Sequence, residues 1–245
     1  MGFFSWIASG ISSIASGIGK VASSIGSVLS SAAKSIYTAV KTLAPILATW
    51  AGNIGTAVRI IGLVIDIVAK IHGMLKEKEN VQDIGERVLQ AEEKGITLEN
   101  CKNDFDAYME KIRNLELNPE KASVRPKEEK ILAGCILIEK GLEQQFPNMT
   151  TAPMWPIIIR NPDFFTHTRL ETYAQMAKER DLPLGDSVAK YFVQYPNKRV
   201  DRPTRDFLFD AEKKLDPSAT KNDIQEKLDT VEKNSNQAAK NVPFQ

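Results

Sequence analysis

Residues 7–28 read IASGISSIASGIGKVASSIGSV, and this stretch governs how the rest of the chain is interpreted. Its branched apolar residues are Ile7, Ile11, Ile14, Ile18, Val21, Ile25 and Val28. Their spacing alternates four and three, the step that keeps one stripe of an α-helix in register. Between them lie almost only Ser, Ala and Gly, including Ser9, Ser12, Ser13, Ser16 and four glycines, and Lys20 is the one charge before Lys34. An amphipathic helix at a water-facing protein surface sets its apolar stripe against a charged face. Here the opposite face carries hydroxyls and no acid at all, and the spacing therefore predicts a membrane-active helix.

The flanks point the same way. Phe3, Phe4 and Trp6 stand just ahead of the stripe, where aromatic rings anchor a helix at the headgroup boundary. The run Ile7-Ala8-Ser9-Gly10-Ile11 returns as Ile14-Ala15-Ser16-Gly17-Ile18 and, loosely, as Val21-Ala22-Ser23-Ser24-Ile25. A repeat of seven with small residues four apart, such as Ala15/Gly19 and Ala22/Gly26, allows two such helices to approach closely in lipid. Gly costs about 1 kcal/mol relative to Ala in a helix, so the segment needs lipid, a partner or the remainder of the chain to fold it.

From Thr42 to Ile65 the only charge is Arg59. The length suits a bilayer crossing, which takes about 20 residues. Its ten Leu, Ile and Val residues, at roughly −0.5 kcal/mol each, are offset by about +3 for Arg59 and smaller costs for Pro45 and Asn53. The sum lies near zero. Such a segment can enter lipid as a hairpin or be buried as a hairpin in a helical bundle. Arg59 and Asp66 are seven apart, hence near one face, and are candidate pore-lining or gating charges.

Charge is distributed unevenly. Through Leu75 there are five cations, Lys20, Lys34, Lys41, Arg59 and Lys70, against Asp66 alone, for a net +4. The remainder carries −3, and the whole 245-residue chain +1. A cationic apolar head favours anionic lipid, with Lys20, Lys34 and Lys41 meeting headgroups, and the global balance gives no field for nucleic acid. The expected organisation is all-α: residues 1–75 as Gly/Ser-rich apolar helices forming a membrane hairpin, and residues 76–245 as a C-terminal multi-helix, water-soluble domain. The basic n-region of a secretory signal peptide is missing from the opening residues, so the expectation is secretion by a signal-peptide-independent route to a target-cell membrane.

After the charge run Lys76-Glu77-Lys78-Glu79 the texture is that of ordinary helical protein. The spacing predicts helices over Asn80–Lys94, Leu98–Leu117 and Lys127–Phe146, with Asn118-Pro119 opening a short turn. Residues 147–163, with four prolines around Trp155, read as a loop or short extended segment. Thr168 with Glu171 reads as a capping box for a helix to Arg180. Further helices are expected over Asp186–Tyr195 and Pro203–Leu215, then a final one capped by Asp216-Pro217 whose polar end frays from Asn234. No alternation of period two is long enough for a strand.

Catalytic and cofactor signatures are not found. No glycine-rich loop precedes a Lys-Ser or Lys-Thr pair in the phosphate-binding frame. His72 and His167 have no Cys or His at ligand spacing, and Cys101 and Cys135 read as reduced core residues. Lys198, Arg199, Arg202 and Arg205 beside Tyr191, Phe192 and Tyr195 suggest an anion or single-strand site. Interleaved Asp201, Asp206 and Asp210 favour a self-neutralising surface instead. The sequence thus leads to a non-enzymatic, metal-free and cofactor-free protein that permeabilises membranes, as a pore-forming toxin or secreted effector does, oligomerising in lipid and served by a neutralising or carrier protein. The rival expectation is a structural or interaction protein, inside a virus particle or a secretion machine, whose N-terminal seam packs or oligomerises.

Overall fold

A computed structural model describes residues 54–193 and 200–240. The candidate insertion residues Phe3, Phe4, Trp6, Ile7, Ile11, Ile14, Ile18, Val21, Ile25 and Val28, with Lys20, Lys34 and Lys41, lie outside the described residues, as does the first half of the expected hairpin. Among the described residues the protein is all-helical, with ten α-helices, three short 3-10 turns and no strand. They fall into two compact units, divided after Gly141.

The first unit begins with α1 (Ile54–Ile71). Ala57, Val58, Ile61, Val64, Ile65, Val68 and Ala69 are all buried, whereas Arg59, Leu63 and Lys70 form an exposed stripe with half-buried Asp66. All three charges of α1 therefore share one face, and its apolar side is core. The helix stops at Gly73, whose φ of +71° favours a residue without Cβ, while Met74 N–H reaches back to the Ala69 carbonyl at 2.8 Å. No helix among the described residues is long and apolar enough to cross a membrane.

Helix α2 (Val81–Glu93) starts where Asn80 accepts the Asp83 N–H, and ends at Gly95 in the same left-handed cap, with Ile96 N–H on the Ala91 carbonyl. Where one helix is expected over Leu98–Leu117 there are two pieces: a 3-10 turn at Glu99–Cys101 and α3 (Phe105–Arg113). Lys102 and Asn103, with φ of 56° and 61°, break the path between them, and Asp104 recaps the chain by accepting the Ala107 N–H. Apolar spacing continues across the break because both pieces face the same core. The short α4 (Pro119–Val124) is capped by Asn118, as its sequence indicates. Helix α5 (Lys127–Gln145) is buried continuously from Ile131 to Glu139, so its middle is enclosed on all sides where α1 and α2 are one-sided.

Glycines bring these helices together. A Cβ on Gly85 of α2 would lie 1.7 Å from the Lys130 carbonyl oxygen, and one on Gly134 of α5 would lie 1.8 Å from that of Val81. The α2–α5 crossing is thus backbone against backbone. At Gly62 of α1 a Cβ would lie 2.8 Å from Ile131 and 3.3 Å from Val81, so α1 meets both helices close to that crossing.

The second unit contains α6 (Trp155–Arg160), α7 (His167–Arg180), α8 (Leu184–Phe192), α9 (Arg202–Leu215) and α10 (Lys221–Lys240). Residues 147–163 are not an extended segment: two 3-10 turns lead into α6, whose Ile157, Ile158 and Ile159 are buried, because proline at the first or second helical position suits a helical start. Helix α7 is capped by Thr166 accepting the Arg169 N–H, two residues before the expected Thr168. The cap of α10 is also displaced. Thr220 and Asp223 accept each other's backbone N–H, while Asp216 closes the preceding turn on Ser218 and Ala219. Nor does α10 fray from Asn234. Ser235 is buried and accepts from Asn161 Nδ2 at 3.1 Å, and Asn234 donates to Asn161 Oδ1. The core is aromatic: Phe165 meets Phe164, Tyr173 and Phe192 edge to face, and Tyr173 meets Phe207.

Candidate functional site

Two of the candidate charges are described, and they differ. Arg59 is exposed and donates to Thr56 Oγ1 at 3.2 Å within its own helix. Asp66 is half-buried, and its Oδ1 accepts the Val81 N–H at 2.7 Å. Val81 is the first residue of α2, where backbone N–H groups lack helical partners and the positive end of the helix dipole emerges. A side chain of α1 thus completes the N-terminus of α2. Burial pushes the Asp66 carboxyl up to about 6, against the opposing pull of the Val81 N–H and Lys70 and with a further push from Asp83. On α5, the buried Cys135 thiol is held well above its ordinary value, by burial first and then by the charges of Asp66 and Glu139.

Elsewhere in this unit polar side chains of α2 hold the end of α3 and the chain that follows it. Arg87 donates to the carbonyls of Ile112, Arg113 and Leu115, and Gln90 both donates to the Asn118 carbonyl and accepts its N–H. Arg125 links Glu86 and Glu93 at 2.6 Å each, and Lys130 Nζ stands 3.4 Å from the second Glu86 oxygen. Arg113 grips Glu79 through two nitrogens. A mixed-charge groove of about 740 Å³ opens here, lined by Lys76, Glu79, Arg87, Arg113 and Lys130 among others. Its cations already hold carbonyls or carboxylates in several cases, which gives it the character of a braced surface.

In the second unit, Glu212 is 2% exposed and bound by Arg169 through Nε at 2.7 Å and Nη2 at 3.0 Å, and by the Tyr173 hydroxyl at 2.8 Å. The Arg169 guanidinium also donates to the Phe164 carbonyl and stacks 4.1 Å from the Phe164 ring centroid. Every polar atom of this cluster faces another member, so it reads as a buried tie between α7 and α9. Sequence reading missed it, although Glu212 stands beside Phe207, Leu208 and Ala211 on a buried stripe, where a charge implies a partner.

The basic and aromatic cluster near residues 191–205, read from sequence as a self-neutralising surface, is described only in part. Lys198, Arg199 and Tyr195 lie outside the described residues, Arg202 pairs with Asp206 at the surface, and Tyr191 and Phe192 are buried. Trp155 is likewise buried, its Nε1 donating to Thr151 Oγ1 at 2.8 Å, which makes it a core residue. Cys101 and Cys135 are buried thiols. Among the described residues no group of His, Cys, Asp and Glu could hold a metal ion. No protein-family model, curated protein or solved structure matches the chain.

Proposed function

We propose that this protein permeabilises a lipid bilayer, in the manner of a pore-forming toxin or secreted effector, through the stretch that precedes α1. The observation that carries this reading is the stripe Ile7, Ile11, Ile14, Ile18, Val21, Ile25 and Val28 opposed by hydroxyls and glycines. Phe3, Phe4 and Trp6 engage the interface, the stripe enters the acyl region, and Lys20, Lys34 and Lys41 meet anionic headgroups. Association through the small residues then turns the serine face toward a water-filled path, because hydroxyls can face water within a membrane without the cost of a buried charge. The helical body carries this segment and presents it.

A second reading has one observation in its favour. The apolar side of α1 is packed into its own unit, against Ile131 and Val81, as the seam of a structural or interaction protein is. Residues 54–71 therefore act as the root of the membrane-active stretch under the first reading and as core under either.

Dye release from anionic and neutral vesicles by the full chain separates the two. The wild type should release dye, more from anionic vesicles, while Ile14→Asp and Ile18→Asp should abolish release and leave the thermal unfolding of the body unchanged. Intact vesicles with wild-type protein, or release that survives both substitutions, would sink the proposal. Deleting residues 1–75 is the weaker test, since it removes α1 from a core to which α1 belongs.

A further inference from the structure

A polar bond joins α1 to α2 through a carboxylate set where two helices and a turn converge. Asp66 lies on the only charged stripe of α1, one turn from Gly62, where α1 comes closest to Val81 and Ile131. Across the loop of residues 72–80 it finds the first N–H of α2. Dislodging α1 therefore means withdrawing this carboxyl from the α2 terminus and returning it to water.

We propose that Asp66 is a proton-operated latch between α1 and α2: the protonated carboxyl holds α1 against the body, and ionisation toward neutral pH loosens that joint. Half-buried, the ionised group forfeits hydration that one N–H and an exposed lysine do not replace, and only release of α1 restores it. The neutral acid gives up little and can still accept the Val81 N–H through its carbonyl oxygen. The pKa of about 6 in the docked position has burial as its largest cause, which is the signature expected of such a group. Lys70 of α1 favours ionisation, Asp83 of α2 opposes it, and Cys135 of α5 is a buried neutral thiol. In the connecting loop Lys76, Glu77 and Lys78 are exposed, and Glu79 is held by Arg113.

The latch rests on the lipid-engaging reading only for its purpose, which is to tie or free the helix that follows the membrane-active stretch. Its existence can be tested without lipid. Hydrogen-exchange protection factors of the Ile61–Ile71 and Val81–Val88 amides in the full chain, corrected for intrinsic rates, should fall up to about tenfold between pH 5 and pH 7. Asp66→Asn, which mimics the neutral acid, should keep the pH 5 value at both. Should that variant not fold, Lys70→Met serves instead: loss of the neighbouring cation should move the midpoint to higher pH. Equal protection in the wild type at both pH values, an unchanged pH response in Asp66→Asn, or an unmoved midpoint in Lys70→Met would each overturn the latch. A parallel dye-release series keeps the two ideas apart. Release rising from pH 5 to pH 7 in the wild type and flat in Asp66→Asn supports both, whereas a protection change without release at any pH supports the latch and removes the membrane function.

Discussion

At Gly85 and Gly134 a single methyl group is enough to break the first unit. The nearest atoms to the missing Cβ are backbone, at 1.7 and 1.8 Å, and cannot swing aside as a side chain could. Gly85→Ala or Gly134→Ala should therefore cost at least about 3 kcal/mol, at or beyond the upper end of ordinary overpacking, as read by urea denaturation. Gly141 is more forgiving, because its close neighbours are the ends of Met74 and Phe105. In the second unit the sensitive residue is Arg169. Replacing it with Met leaves Glu212 buried without its cation, for an expected loss of about 3–5 kcal/mol. Adding Glu212→Leu should recover much of that loss, since the uncompensated charge goes with it. Neither feature was readable beforehand. Glycine in a helix pattern does not say which backbone it touches, and a buried Glu does not name its Arg.

Helix boundaries follow short-range chemistry and were largely visible in the chain. Asn80 and Asn118 cap α2 and α4 where the sequence indicates, and Gly95 terminates α2. Asp201 supplies the cap of α9, accepting the Thr204 N–H at 2.8 Å. Asn80→Ala and Asp201→Ala should each lower stability by about 1 kcal/mol in thermal denaturation. The misplaced starts of α7 and α10 share one cause. Thr166 and Thr168, or Asp216 and Thr220, are both competent caps, and which one is used depends on where the preceding turn must leave the core. Lys102 illustrates the opposite limit: its left-handed φ of 56° is imposed by docking of the turn before α3 and has no marker in the residue type. Lys102→Gly should accordingly stabilise the protein, by about 0.5–1 kcal/mol.

For the whole molecule, opposing carboxylates set the response to pH. Glu93, hydrogen-bonded first by Lys121, and Asp201, bonded first by the Thr204 N–H, are held below the ordinary carboxylate range. Glu79 is too, since Arg113 and the Lys76 N–H outweigh the upward push of burial. Groups whose folded values are depressed stabilise the fold at neutral pH and cease to do so as pH falls through those values, so acid below about pH 4 should destabilise the protein. Asp66 works in the other direction. Its folded value is raised from 3.8 to about 6, so the folded form binds the extra proton and stability declines as pH climbs from about 4 to 6. Discounted for solvent screening, that decline is on the order of 1–2 kcal/mol. The expected profile in urea titrations is thus a maximum near pH 4.5–5.5 that flattens toward neutrality in Asp66→Asn.

The all-helical class, most of the helices, several caps and the apolar faces were settled by the sequence alone, because each depends on residues within one or two turns of one another. The four-and-three spacing of the apolar residues over 7–28 also belongs to that level, and the bilayer reading proposed for them rests on it alone. Tertiary structure alone decided that Asp66 meets Val81, that Gly85 meets the Lys130 carbonyl and that Glu212 is held by Arg169. Those partners lie between 15 and 45 residues apart in the chain, and only the closing of a shared core, from which water is excluded, makes one choose the other.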